Sequence, residues 1–152
     1  MKIGFISATK GKLKNTDAAA RDFYAVSSQF RYALSYCEQN YEETYILSIG
    51  SLHLIHPDSD LVGIDTDLQY LSKWDKKHWI RSISNEMREF FPLGTELYFH
   101  TSNWYNLLFQ WLEPDYPIHK PLKGLSIGKQ LQYYKQQVGQ LPSVKNEEAT
   151  WN

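Results

Sequence analysis

At 152 residues, with 42% hydrophobic and 22% charged side chains, the chain is long enough to bury a core and lies far from the composition of disordered segments. A formal net charge of −1 excludes a global basic field, so contact with nucleic acid or an anionic membrane would need a local patch. The single cysteine, Cys37, excludes an intrachain disulfide. It has no Cys or His at metal-ligand spacing and reads as an inert core residue. The opening MKIGFISA carries no apolar segment ending at a small-residue cleavage site, and no apolar run is long enough to span a membrane. A cytoplasmic location and no membrane partner are the expectation.

In chain order, Lys2–Ala8 reads as a buried strand, stopped by the polar loop Thr9–Thr16, where Lys10, Lys12 and Lys14 gather. Residues 17–40 turn helical in two pieces: Phe23, Tyr24, Phe30, Ala33, Leu34 and Cys37 recur at three- and four-residue steps, with Ser27 or Ser28 as a cap. Thr44–Ile49 is a second buried strand, and Gly50–Asp67 is irregular. Ser72 and Asp75 resemble a capping box opening a helix to about Phe91, with Trp79, Ile83, Met87 and Phe90 facing inward. Glu96–Thr101 is a third strand and Asn103–Leu112 a short aromatic helix. A lysine-bracketed loop, HKPLKG, leads into a last helix from Ser126 to about Val138. Residues 1–140 thus read as one α/β domain, a three-layer, mostly parallel sheet with helices on both faces, and 141–152 as a polar tail.

The chain holds 11 Tyr, 7 Phe and 5 Trp, which suits a tyrosine-rich core and rim better than exposed stacking platforms. In an open α/β sheet, ligands bind beyond the carboxyl ends of the strands. There the sequence offers Ser7 and Lys10, then Ser48, then the glycine-containing entry to the last helix with Gly124 and Ser126. Hydroxyls, a cation and a helix N-terminus suit a phosphate or carboxylate. The first loop matches neither the P-loop nor the dinucleotide-binding glycine pattern, which argues against a P-loop nucleotidase and a Rossmann dehydrogenase. His53, His56, Asp58 and Asp65 belong to the richest titratable stretch. Its spacing matches no standard metal site, and proton transfer by Asp58 or Asp65 is the better reading. Neither a cofactor nor a metal is called for.

Three segments, ISATKGK, ILS…PD and PLKGLSIGKQL, resemble in order and spacing an uncharacterised family of small bacterial and phage α/β domains. That family is distantly like the YaaA-type proteins. The family pattern is S-A-x-K, then LSAKYGL-x-x-PD, then GLGIGxQL. It matches Ser7, Ala8 and Lys10, then Tyr24, Phe30, Ser48, Pro57, Asp58 and Asp65, and finally Gly124, Leu125, Gly128, Gln130 and Leu131. This chain departs at LSIGSLHL, which is longer by one residue and lacks the Lys and the Gly at the family's places, and at Ile64 and Ser102. The resemblance implies a shared fold, and the departures imply a chemistry lost or altered. The functional reading is a nucleotide- or nucleobase-related binding protein, an enzyme of hydrolase or glycosidase type or a degenerate one. Asp58 and Asp65 would handle protons; Ser7, Lys10, Tyr24, Ser48, Gly124 and Gln130 would hold the ligand. The alternatives are a nucleic-acid-binding module and a phage-type protein that binds and inhibits a host protein.

Overall fold

The computed structural model describes residues 1–8, 12–13, 19–49, 51–59, 73–101, 105–139, 141 and 149–150. In chain order these form β1 (Lys2–Ser7), β2 (Lys12–Leu13), α1 (Ala20–Phe23), α2 (Ser28–Asn40), β3 (Glu43–Leu47), α3 (Lys73–Phe90), β4 (Glu96–His100), α4 (Asn106–Leu112), β5 (Ile118–His119), α5 (Ile127–Val138) and β6 (Ala149–Thr150). The main sheet runs β3-β1-β4-β5 and every pairing in it is parallel. Phe5 stands opposite Tyr45 on one side and Phe99 on the other. Parallel strands cannot be joined by tight hairpins, and the intervening helices supply the crossovers.

The period-two alternation of the strands divides the interior into two layers. Ile3, Phe5, Leu47, Leu97 and Phe99 face α3 and α4, packing on Trp79, Ile80, Ile83, Met87 and Leu108. Ile6 and Ile46 face α1, α2 and α5, packing on Phe30, Ala33, Cys37 and Tyr134. The expected α/β architecture, with helices on both faces of a parallel sheet, is therefore what the chain adopts. Cys37 is free and fully buried, and burial pushes its thiol well above its ordinary pKa.

Two serines cap the helices that border the sheet's carboxyl edge. Ser27 accepts from the Phe30 amide at 3.2 Å and Ser126 from the Lys129 amide at 3.4 Å, so each hydroxyl satisfies one of the amides a helix start leaves unpaired. Trp79 ties α3 to the loop after β3, its Nε1 donating to the Ser48 and Ser51 carbonyls at 3.0 and 2.9 Å. Glu86 reinforces this, accepting from the Leu54 amide at 2.8 Å and meeting His53 Nδ1 at 2.7 Å.

Three expectations need correction. Phe90 is 54% exposed, and Phe91, 3% exposed, takes the inward place instead. At 100° per residue the two residues are about equally far from the centre of the Ile80, Ile83 and Met87 stripe, so the period does not choose between them; Phe91, just past the end of α3, packs on the Phe5 and Tyr45 rings. His119, expected to open the HKPLKG loop, instead pairs with Tyr98, and Ile118 with Leu97, as the short strand β5. Two residues of the polar tail, Ala149 and Thr150, pair with Leu13 and Lys12 as an antiparallel ribbon. Ser72, Asn103 and most of the Thr9–Thr16 loop lie outside the described residues. Among the described residues no helix is long and apolar enough to cross a membrane.

Gly4 lies at the middle of β1 with the Tyr41 ring laid across it. A Cβ there would sit 2.5 Å from Tyr41 Cδ2 and 3.3 Å from Cys37 Cβ. Gly4→Ala should destabilise by about 1–3 kcal/mol through overpacking. Chemical denaturation should also show a large coupling energy between Gly4→Ala and Tyr41→Ala, because the second change removes the ring the methyl strikes. Trp79→Ala should cost about 3–5 kcal/mol by the same measurement, the indole being fully buried.

Candidate functional site

The carboxyl ends of β1 and β4 lie side by side, and the first turns of α2 and α5 close over them. Between these four pieces is a cavity of about 170 Å³ bounded by Ile6, Ser7, Gln29, His100, Thr101 and Gln130. Phe30, Ala33 and Ile127 complete its wall. A larger hollow of about 700 Å³ adjoins it, sharing Thr101 and Gln130 and reaching Asn106, Gln110, Lys120, Lys123 and Gly124. That volume is within the roughly 300–1,000 Å³ usual for small-ligand sites.

The two hollows differ in chemistry. The larger has two lysines, one acid (Glu113) and several amides. Lys120 lies 4.6 Å over the Phe109 ring, and Gly124 adopts φ +82, a left-handed turn that glycine makes without strain. This turn delivers the chain into α5, whose first turn carries no acidic side chain to oppose an anion. The smaller cavity is apolar apart from hydroxyl, amide and imidazole groups. Gln130 Nε2 donates to the Leu125 carbonyl at 3.0 Å, and Gln29 Nε2 donates to Gln130 Oε1 at 3.0 Å.

Beneath the small cavity lies a phenol–imidazole network. His100, 4% exposed, meets Tyr41 OH through Nε2 at 2.7 Å and Tyr134 OH through Nδ1 at 2.9 Å. Tyr36 OH and Tyr133 OH are 3.0 Å apart, and burial pushes the Tyr36 phenol up to about 12. Burial also pushes up the Tyr41 and Tyr134 phenols and lowers His100 from 6.5 to about 4. At neutral pH the imidazole is uncharged, so one nitrogen donates to a phenol oxygen and the other accepts a phenol O–H.

The residues expected to form the site separate. Ser7 and Gln130 meet at the small cavity, and Gly124 lines the larger one beside Gln130. Ser48 is buried near Trp79, which its carbonyl accepts from, and Tyr24 is 2% exposed with its ring packed on Phe23 and Phe30. Tyr24 therefore has no open face for stacking. Asp58 is exposed, and its Oδ1 accepts from Arg21 Nε at 2.6 Å. That bond lowers the Asp58 carboxyl, while Glu38 accepts from the other two guanidinium nitrogens. Asp58 bounds neither hollow. Lys10 and Asp65 lie outside the described residues. Among the described residues no three His, Cys, Asp or Glu side chains form a group able to hold a metal.

Gln29, His100 and Thr101 were missed as site residues. His100 follows Phe99 on a strand otherwise apolar or aromatic after its first residue, and a polar residue at the carboxyl end of a buried strand is a usable signal.

The lowered His100 pKa has a consequence for stability. The unfolded chain takes up a proton below about 6.5 whereas the folded chain does not until about 4, so the folded state loses stability as pH falls across that window. Urea denaturation of the protein and of His100→Gln should show a steeper loss between pH 6.5 and 4 in the unmodified chain. Equal slopes would mean that the imidazole is not buried uncharged.

No curated protein and no solved structure matches the chain. With residues 3–136 matched, the chain belongs to the family of unknown function DUF6884.

Proposed function

We propose that this chain binds a nucleotide, or another ligand carrying a nucleobase, at the carboxyl edge of its parallel sheet. The observation that carries the reading is the pair of adjoining hollows with opposite chemistry, one neutral and amide-lined, the other bearing Lys120 and Lys123. A nucleotide has the same division, a flat neutral heterocycle joined to an anion. The Gly124 turn that leads into α5 lines the hollow that bears the lysines. Binding without turnover is favoured over a hydrolase or glycosidase. Of the two candidate acids, Asp58 is engaged by Arg21 away from both hollows, and a general acid or base must lie within hydrogen-bond reach of the reacting atoms. The bacterial or phage origin, the distant likeness to YaaA-type proteins and the cytoplasmic location belong to the same reading.

Nucleoside mono- and triphosphates at millimolar concentration should raise the melting temperature. Ligand at roughly 100 times its Kd adds about 2.7 kcal/mol of stability. The double change Lys120→Ala with Lys123→Ala should weaken binding by calorimetry at least tenfold while leaving the melting temperature of the free protein nearly unchanged. If no nucleotide binds, the proposal fails, and a partner-protein role moves ahead of it. Phe90, Leu93 and Trp111, at 54, 72 and 45% exposure, would be its first candidates.

A further inference from the structure

We propose that the small cavity is a subsite for an uncharged heterocycle presenting an N–H donor to Gln29, and that it turns away the anionic part of the ligand. This rests on the nucleotide reading above and goes further by assigning each hollow its half of the ligand.

The argument starts from a carbonyl. A backbone C=O can only accept, so the Gln130 atom 3.0 Å from the Leu125 oxygen must be the amide nitrogen. That fixes Gln130 Oε1 as the atom facing Gln29, and an oxygen there must receive Gln29 Nε2. The remaining atom of Gln29 is then Oε1, with no freedom to exchange with its nitrogen. Leu125 thus sets the polarity of a two-amide relay that ends in an acceptor. Gln29 Oε1 is buried and, among the described residues, has no hydrogen-bond partner; the same is true of Thr101 Oγ1. Both residues line the small cavity. A buried polar atom left unpaired lowers stability, and a ligand that supplies the missing partner recovers the loss.

The rest of the wall agrees. Ile6, Phe30, Ala33 and Ile127 give a flat ring apolar contact, and Ile127, 76% exposed at the cavity's edge, gains burial when a ring enters. No lysine or arginine lines this cavity among the described residues, and His100 is uncharged at neutral pH. A phosphate would meet the Gln29 oxygen with no cation among the described lining residues to offset it, whereas Lys120 and Lys123 stand in the neighbouring hollow. An acceptor and a hydroxyl that can donate or accept, both on residues lining one cavity, suit a base, where an N–H adjoins a ring nitrogen or carbonyl.

The test is calorimetry on the full chain with two nucleoside pairs, adenosine with N6,N6-dimethyladenosine and uridine with 3-methyluridine, together with the matching 5′-nucleotides and ribose 5-phosphate. In at least one pair the methylated member, which has lost the donor, should bind at least tenfold more weakly. In Gln29→Ala, and in the volume-preserving Gln29→Met, the parent nucleoside should fall to the level of its methylated form. A parent that keeps its affinity in both variants would show that methylation acted only by bulk, and would overturn the assignment. Ribose 5-phosphate binding as tightly as the nucleotide would overturn it too, by leaving the base no role. Nucleotide binding without discrimination sinks this inference alone; no binding of any nucleoside or nucleotide sinks the nucleotide reading with it.

Discussion

β1 is bonded on both edges and covered on both faces, and Gly4 at its middle lets Tyr41 lie directly against the backbone. Much else follows from that contact. With its ring held over β1, Tyr41 stacks on Tyr98 of the neighbouring strand at 4.6 Å, and Tyr98 in turn stacks on His119 of the next at 4.4 Å. The ring's hydroxyl is thereby carried to His100, and His100 to Tyr134 on α5. A side chain at position 4 would push the ring away and disturb a ladder of aromatic contacts that crosses three strands.

This face of the sheet is unusual in being both aromatic and polar. Phenols let it bury large apolar area and still satisfy the atoms that cannot be exposed to water. The opposite face is more conventional, with aliphatic side chains of α3 and α4 closing over Phe5 and Phe99, which stack at 4.8 Å. The cavity opens where the polar face runs out, at the strand ends, so the groups lining it are extensions of a network already required for packing.

β1, β3 and β4, their parallel pairing and the two serine caps were legible in the sequence, because each depends on local pattern: apolar runs of strand length, and a hydroxyl just ahead of a helical repeat. Ser7 could be placed at the site from the rule that α/β sites gather at carboxyl strand ends, and Gln130 only from the closing GLSIGKQL segment that the chain shares with the family it resembles. Gln29 could not. Its partner is 101 residues away, and nothing in the local SSQF segment distinguishes a cavity amide from a solvated one. Tyr24 and Ser48 were drawn to the site by their position in the pattern, but the same apolar neighbours that mark them as part of an element also bury them. β5 escaped notice because two residues carry no periodicity, and only the open edge of β4 gives Ile118 and His119 a reason to extend.

The strand order bears on how the protein is born. Lys2 and Ile3 find one set of partners at Glu43 and beyond, but the other set, beginning at Glu96, leaves the ribosome much later. During that interval the centre of the finished sheet is an exposed apolar margin, the kind of surface that recruits other nascent chains. The helix over Cys37 can already cover one face, since α2 precedes β3. The other face must wait for α3. The docking of β4 against β1 spans more than ninety residues and joins the two strand ends between which the cavity forms, and β5 and α5 can add to the sheet and the cavity wall only after it.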